Sequence, residues 1–172
     1  MYTQLTKFRF VISTLREVGP LEILRLGSDS FDIYKDGVLE LLEELHSQNF
    51  GLSSEEAGRI SQEKIDVLEK YIIESKAVVF VALLEGVMGG FIWLYPHEYY
   101  GERRLHINHI AVVSGLRNRG VGKRLMKEAE SFAKQSAYVA LDLFVSEHNA
   151  RARALYEALG FSTERRYMKK EL

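Results

Sequence analysis

The feature that most constrains this sequence is a loop with two glycines, residues 117–123 (RNRGVGK), between a strand-like and a helix-like run. Residues 109–113 before it are mostly apolar, and residues 121–136 after it carry apolar side chains at helical spacing. Gly120 and Gly122 let the backbone approach a ligand closely, and the N–H groups at the start of a helix attract anions. The loop predicts a pyrophosphate site, with an ordinary strand-to-helix turn as the alternative.

Two common nucleotide-binding motifs do not fit this loop. A Walker loop requires a glycine five residues before the Gly-Lys pair and a hydroxyl residue after the lysine, but these positions hold Arg117 and Arg124. A Rossmann fingerprint requires a third glycine three residues after Gly122, where Leu125 stands. The sequence therefore indicates neither a P-loop nor a dinucleotide-binding fingerprint.

Composition narrows the class of protein further. A chain of 172 residues with 47% hydrophobic content is expected to form a single domain, residues 1–172. Its 23 basic and 24 acidic residues give a net charge of -1, so neither nucleic acid nor a membrane is an expected partner. Without cysteine there is no disulfide, no thiolate metal site and no covalent cysteine intermediate.

The amino-terminal sequence indicates a location. The short apolar run at residues 8–12 is interrupted by Arg9, so we expect neither a signal peptide nor a membrane span. A cytoplasmic protein is the expectation.

Periodicity and end signals predict alternating strands and helices. Residues 22–26 predict a strand, followed by one helix capped by Asp29 or Ser30 and a second one, capped by Ser53 with Glu56, that ends near Ser75. Further strands are predicted at residues 78–84, 87–95 (ended by Pro96), 104–113, 138–145 and 161–169. Two more helices are predicted, at residues 121–135 and from the cap Asn149 to Leu159, with Gly160 as the C′ residue.

From about residue 78 onwards the chain resembles the GNAT acyltransferase superfamily. Arg117, Gly120 and Gly122 match its motif [RQ]xxGx[GA] between strand and helix. Residues 149–161 (NARARALYEALGF) resemble its segment Asn-x-x-Ala-x-x-Leu-Tyr-x-x-x-Gly-Phe, at the expected distance downstream. Two motifs in register make the resemblance specific.

The resemblance implies an α+β fold with a mixed, mostly antiparallel sheet of six to seven strands, flanked by helices and splayed between the fourth and fifth strands. Residues 21–76 would supply the first strand and the acceptor-side helices, and residues 77–172 the acetyl-CoA-binding core. The implied function is acetyl-CoA-dependent N-acetyl transfer to a primary amine, directly in a ternary complex. The alternative is a catalytically inactive module that binds or senses acyl-CoA. The acceptor would be a small-molecule amine, an amino sugar or a peptide or protein N-terminus, and a homodimer is a further expectation.

The resemblance also implies which residues bind acetyl-CoA. Main-chain groups of Val112 and Val113 would pair with pantetheine, and Asn149 would contact the cofactor near its thioester. The residues whose N–H groups would hold the pyrophosphate are Arg117, Asn118, Arg119, Gly120, Val121, Gly122 and Lys123. Each has a simpler alternative: the valines are plain strand residues, Asn149 is a helix cap, and the arginine side chains are solvated charges.

Tyr156 and His106 are the candidate catalytic residues. Tyr156 matches the tyrosine that many GNAT enzymes place beside the cofactor sulfur, where it would protonate the departing thiolate; its alternative is core packing. His106 lies eleven residues before Arg117 and would accept the proton of the amine, as the matching His does in the arylalkylamine branch. Its alternative is a strand histidine with no role. Phe144 stands where the ribosomal-protein branch has a Glu.

Alternation along the predicted strand puts Asn108 on the same face as His106, and His109 on the other face in a structural role. No metal is predicted, because His46, His97 and His148 have no partner at a metal-ligand spacing. An aromatic group before this strand could wall an acceptor pocket, or could simply form a half-buried strand: Trp93, Tyr95, His97, Tyr99 and Tyr100.

Overall fold

A computed structural model describes residues 20–171 of the chain. Its strands are β1 (Leu21–Leu26), β2 (Val78–Leu84), β3 (Val87–Tyr99), β4 (Glu102–Val112) and β5 (Ala140–Leu143). Its α-helices are α1 (Ser28–Phe50), α2 (Ser54–Ile73), α3 (Val121–Gln135) and α4 (Ala150–Ala158), with a 3-10 turn at Ser114–Leu116.

The five strands form one mixed sheet in the order β1-β2-β3-β4-β5. The first three pairs of neighbours are antiparallel, and β4 and β5 are parallel. The predicted α+β class and the mostly antiparallel sheet are confirmed, but the predicted count of six to seven strands is wrong for the described residues. The missing strand is residues 161–169, a charge-rich segment in which Glu164 pairs with Arg104 and Tyr167 is 93% exposed.

Local signals explain most helix and turn boundaries. The capping box of α2 is formed as predicted: Ser53 Oγ accepts from the Glu56 N–H at 3.3 Å, and the Glu56 carboxylate accepts from the Ser53 N–H at 3.1 Å. Helix α1 begins earlier than predicted because Gly27 is its N-cap residue, and Ser30 accepts from the Gly27 N–H at 2.9 Å. Helix α2 ends at Ile73 rather than near Ser75.

Strand β3 continues through Pro96 to Tyr99, although the sequence predicts its end at Pro96. The last pair between β2 and β3 joins Val78 to Leu94, so within the described part of the chain β3 has no neighbour on that side at Pro96. A proline is tolerated on such an edge because its missing N–H breaks no ladder bond. On its other side β3 stays paired with β4, where Pro96 faces Leu105.

Helices cover both faces of the sheet. On one face α3 packs with Phe132 against Phe80 of β2, with ring centroids 5.9 Å apart. On the other face α1 contacts β3 and β4, and His46 of α1 meets His109 of β4 at 5.6 Å. Fully buried side chains such as Leu41, Leu42, Ile65, Leu68 and Phe91 fill the space between the layers.

The sheet is splayed between β4 and β5, as predicted. Only Arg104 to Ile107 of β4 pair with β5, opposite Ala140 to Leu143. Strand β4 then runs on to Val112 with β3 as its partner on one side and, among residues 20–171, no paired strand on the other. The last five residues of β4 therefore present one open edge.

Among the helices of residues 20–171, none is both long and apolar enough to span a bilayer. The apolar run at residues 8–12, on which the sequence prediction about the amino terminus rests, lies outside the described residues.

Candidate active site

The open edge of β4 exposes the main chain of alternate residues. The Val113 N–H donates to the Gly89 carbonyl at 3.0 Å, and the Val113 carbonyl accepts from the Leu116 N–H at 2.9 Å. Because backbone groups alternate in direction along a strand, Val112 and Ile110 turn theirs away from β3, towards the gap. Of the two valines predicted to face pantetheine, Val112 therefore turns its backbone towards the gap, where its carbonyl accepts from Arg117 Nε at 3.0 Å and its N–H lies on the open edge, whereas both main-chain groups of Val113 are engaged. Ile110, which the sequence analysis missed, follows from the same alternation.

The loop that follows β4 curls into the start of α3. Asn118 and Gly120 both have positive φ, at 66° and 83°. The first hydrogen bond of the helix runs from the Arg124 N–H to the Gly120 carbonyl at 2.9 Å. The N–H groups of the first helical residues, Val121, Gly122 and Lys123, have no acceptor within the helix. They point out of its positive end, an arrangement suited to an anion.

Gly122 is the point where this helix start, the open edge and α4 converge. A Cβ atom at position 122 would lie 3.8 Å from Cγ2 of Val112 and 3.8 Å from Cδ2 of Leu155. The Asn118 side chain also reaches α4, because its Oδ1 accepts from Nη2 of Arg151 at 2.9 Å. The gap between β4 and β5 opens here as a cleft with main-chain groups on two of its sides.

The basic side chains around the cleft are either hydrogen-bonded to other residues or exposed to solvent. The Arg117 guanidinium donates to the Val112 carbonyl at 3.0 Å, to Glu44 at 2.6 Å and to Gln48 at 3.3 Å. Its side chain therefore fastens the loop to α1. Arg119 and Lys123 are exposed at the mouth of the cleft.

Helix α4 carries the two predicted residues Asn149 and Tyr156. Asn149 is the N-cap residue, and its Oδ1 accepts from the Ala152 N–H at 3.1 Å. Its Nδ2 lies 3.5 Å from Oδ1 of Asn49 in α1. Tyr156 is half-buried with its ring 5.8 Å from that of Phe161, and burial raises its pKa to about 12. The Tyr156 hydroxyl therefore keeps its proton throughout the neutral range.

His106 lies at the root of the splay, inside a hydrogen-bonded cluster. Its Nδ1 is 2.7 Å from Oδ1 of Asp142, the residue paired with it across β4 and β5. The other carboxylate oxygen, Oδ2, is 2.9 Å from Nε2 of His97. The rings of Tyr95 and Phe144 flank His106 at 4.9 and 5.1 Å. Sequence analysis missed Asp142, although a single carboxylate within the apolar run 139–145 is a signal.

The prediction that His109 lies on the other face from His106 is wrong. The register of β3 and β4 shifts between Trp93 and Leu94, so Trp93 faces His109 and Tyr95 faces His106, with Asn108 as the extra residue of a bulge. Trp93 and Tyr95, two residues apart, share a face, and so do the two histidines opposite them.

His109 belongs to a layer of aromatic rings under α1. It stacks on Trp93 at 5.3 Å and meets His46 edge-on, while His46 is 2.8 Å from the Ser61 hydroxyl. Burial lowers the pKa of His109 to about 3. Its Nδ1 and the indole N–H of Trp93 are buried with no hydrogen-bond partner among residues 20–171. Trp93 is therefore a packed ring, 2% exposed, rather than part of an open wall.

The aromatic residues further along β3 are more exposed. Tyr99 and Tyr100 meet edge to face at 4.9 Å, and Tyr100 is 83% exposed. The Arg104 guanidinium lies 4.3 Å from the Tyr99 ring, and the Arg165 guanidinium 5.0 Å from it. This end of the sheet therefore presents aromatic rings in cation–π contact with arginine side chains.

The structure gives His97 the partners that sequence spacing did not reveal. Ligand atoms of His97, His106 and Asp142 all lie within 4.8 Å of one another, a donor set that could hold a metal ion. However, the carboxylate already contacts both rings, and the Arg104 guanidinium is 3.8 Å from its Oδ2. A fixed cation at that distance disfavours a divalent ion by repulsion, so we interpret the group as a hydrogen-bonded cluster.

Comparison with known sequences identifies the family. The profile of the acetyltransferase (GNAT) family matches residues 38–161. The uncharacterized N-acetyltransferase YhfO of Bacillus subtilis (strain 168) is 34% identical over 91 residues, which make up 52% of this chain and 61% of YhfO. The aligned stretch thus spans less than two thirds of that relative.

Solved structures share the fold at low sequence identity. A putative acetyl transferase from Pyrococcus furiosus superposes with a TM-score of 0.73 at 24% identity, covering 89% of this chain and 100% of that one. The aminoglycoside N-acetyltransferase AAC(6')-Iy in complex with CoA gives a TM-score of 0.62 at 19% identity, covering 92% and 98%. With the family profile covering residues 38–161, well over half of the sequence, this chain belongs to the GNAT family of acetyltransferases.

Proposed function

We propose that this protein transfers an acetyl group from acetyl-CoA to a primary amine, directly and within a ternary complex. The observation that carries the proposal is the convergence at Gly122 of an open strand edge and a helix N-terminus. A Cβ there would lie in ordinary contact with Val112 and Leu155, which shows how closely β4, α3 and α4 approach one another at this point. The CoA complex of a protein with the same fold supports the choice of donor.

The residues of the cleft fit the three parts of the CoA molecule. The carbonyl of Ile110 and the N–H of Val112 would pair with the amides of pantetheine, as a further strand would. The N–H groups at the start of α3 would hold the pyrophosphate. Lys123, exposed at the mouth, would add attraction at longer range. Asn149, at the start of α4, would contact the carrier near its thioester.

Bound acetyl-CoA would supply an acyl group activated as a thioester. The amine must lose a proton before it attacks, because an alkyl ammonium with a pKa of about 10.4 is almost wholly charged at neutral pH. His106 would accept that proton at Nε2, since its Nδ1 faces Asp142. Tyr156 would donate its hydroxyl proton to the departing thiolate and regain a proton from solvent afterwards. The N–H of Ile110, which also faces the gap and lies closer to His106 along β4, is the candidate donor to the acyl oxygen.

The acceptor is proposed only as a class. A small-molecule amine, an amino sugar and a peptide or protein N-terminus all carry the required nucleophile. Exposed Tyr100, together with Tyr99 and Arg165, offers rings and a cation near the start of β4, where an acceptor would enter. A cytoplasmic location and a homodimer stay predictions of the sequence.

The second candidate is a module that binds acyl-CoA without turning it over. One observation favours it: the His106 side chain is only 8% exposed, so an amine must reach its ring through the gap between β4 and β5. The intact Tyr156 on α4 favours the enzyme instead.

A thiol-release assay separates the two candidates. Acetyl-CoA would be incubated with the protein and a panel of amines, amino sugars and peptides, while calorimetry measures binding of CoA. We expect at least one acceptor to release free CoA, and His106→Ala to slow that release by roughly 100-fold or more. Binding of CoA without thiol release from any acceptor would favour the inactive module, and no binding would refute both.

A further inference from the structure

One carboxylate, that of Asp142, lies between two imidazole rings at the root of the splayed strands. Its Oδ1 is 2.7 Å from Nδ1 of His106, and its Oδ2 is 2.9 Å from Nε2 of His97. The three residues come from β5, β4 and β3, which places the cluster across three neighbouring strands. We propose that Asp142 is a positioning residue that fixes the tautomer and orientation of His106, with His97 anchoring the carboxylate from its other side.

The tautomer follows from the chemistry of the two partners. An ionised carboxylate only accepts hydrogen bonds, so the Nδ1 atom facing it at 2.7 Å must carry the hydrogen. In a neutral imidazole the other nitrogen, Nε2, then has the free lone pair. His106 is thus held in the form that can accept a proton on the side away from Asp142. This inference rests on the proposed function, in which His106 is the proton acceptor.

Packing restricts the ring as well. His106 is 8% exposed, with Tyr95 and Phe144 against it at 4.9 and 5.1 Å. Asp142 is itself fixed, because it is paired in the sheet with His106 and its Oδ2 contacts His97. Position 142 is also next to the last pair of β4 and β5, Ile107 with Leu143, so the cluster lies where the gap begins.

The proton balance of the step is simple. An N–H bond of the ammonium breaks, an N–H bond forms at Nε2 of His106, and the resulting imidazolium lies beside the negative carboxylate. Asp142 neither gains nor loses a proton in this step. The imidazolium later releases its proton to solvent. The titratable and charged groups around the ring are Asp142 from β5, Tyr95 and His97 from β3, and Arg104 and His109 from β4.

Two substitutions at position 142 distinguish positioning from a merely structural role. Asp142→Asn can donate an amide N–H to Nδ1 and so favours the wrong tautomer, with the hydrogen on Nε2, whereas Asp142→Ala imposes neither tautomer. We expect Asp142→Asn to lower kcat by about 100-fold and Asp142→Ala by about tenfold, with the KM for acetyl-CoA changed less than twofold. Glu102→Gln is the control, because it removes another partner of Arg104 at an exposed position without touching His106.

The double variants make the test decisive. In a His106→Ala background, Asp142→Asn should cause no further loss of kcat beyond twofold. A loss as large as in the wild type, or Asp142→Ala worse than Asp142→Asn, would overturn the inference and indicate a structural role. If His106→Ala alone leaves kcat unchanged, the proposed base is wrong and the inference falls with it. If His106→Ala lowers kcat and Asp142→Asn does not, only the inference about Asp142 is wrong.

A measurement without turnover covers variants that fold poorly. Nitrogen-15 shifts of the wild-type His106 ring in its neutral form should show hydrogen on Nδ1 and a bare Nε2. Hydrogen on Nε2 instead would contradict the proposal whatever the kinetics show.

Discussion

Arg117 and Glu44 join the loop before α3 to α1 by a hydrogen bond of 2.6 Å between Nη2 and Oε1. The Arg117 Nε also donates to the Val112 carbonyl at the end of β4. We therefore expect the Arg117 side chain mainly to stabilise the position of the loop against α1 and β4. Arg117→Ala should lower the free energy of unfolding by about 1–2 kcal/mol, with part of that loss shared with Glu44→Ala.

A double-mutant cycle followed by denaturant unfolding measures this coupling. The predicted coupling energy between Arg117 and Glu44 is about 0.5–1 kcal/mol, because both side chains are partly exposed. If the losses of unfolding free energy in the two single variants simply add up in the double variant, the contact between Arg117 and Glu44 does not stabilise the loop.

Two glycines on either side of Val112 should differ in how strongly alanine destabilises the fold. A Cβ at Gly90 would lie 2.7 Å from the Ala111 carbonyl oxygen, so the strands must shift, whereas a Cβ at Gly122 meets its nearest neighbours at 3.8 Å. Gly90→Ala should destabilise by about 1–3 kcal/mol, and Gly122→Ala by less than about 1 kcal/mol. Thermal unfolding of both variants checks the order; equal losses would mean that β3 and β4 are farther apart than described.

His109 should make the fold sensitive to acid. Its pKa is about 3 in the folded protein, because its ring is buried, and a histidine in the unfolded chain titrates near 6.5. Below pH 6.5 the histidine therefore binds a proton in the unfolded state but not in the folded state. The free energy of unfolding consequently decreases as the pH falls, down to about pH 3. The slope from this one group approaches about 1.4 kcal/mol per pH unit.

His109→Phe keeps a ring against Trp93 and removes the titration. Denaturant unfolding between pH 7 and pH 4 should give a shallower loss of stability than in the wild type. An unchanged slope would mean that the His109 ring takes up a proton without unfolding.

Tyr156→Phe removes the proposed proton donor and keeps the ring that packs on Phe161. We expect kcat to fall by roughly tenfold to a thousandfold, because the thiolate would leave without its proton. The dissociation constant of CoA should change by less than about threefold, since the ring remains. Steady-state thiol release beside calorimetry separates the two effects, and unchanged turnover would assign Tyr156 to packing alone.

Local sequence signals predicted the parts of the fold that depend on neighbouring residues. Helix α3 has the predicted limits because its apolar stripe and the glycines before it act within a few turns. The two-residue turn at Glu85 and Gly86, with φ of 51° and 78°, lies between the predicted strands 78–84 and 87–95.

The parts that were missed depend on register between distant strands. The bulge at Asn108 arises from the pairing of β4 with β3 and reverses the face of His109, which alternation within one strand could not show. The meeting of His97 with Asp142 joins residues 45 positions apart. A proline ends a strand only where a neighbouring strand needs a backbone N–H, which proline lacks. Whether Pro96 does so depends on where β2 stops.

The central claim is that the start of α3 holds the pyrophosphate of acetyl-CoA, and calorimetric titration with acetyl-CoA tests it most directly. Lys123 lies in the first turn of α3 and Lys127 one turn later, and both are exposed. We predict one site per chain in the wild type, an affinity at least roughly tenfold weaker in Lys123→Glu, and a change of less than about threefold in Lys127→Glu. No heat with the wild type, or equal affinities for the two variants, would contradict the account.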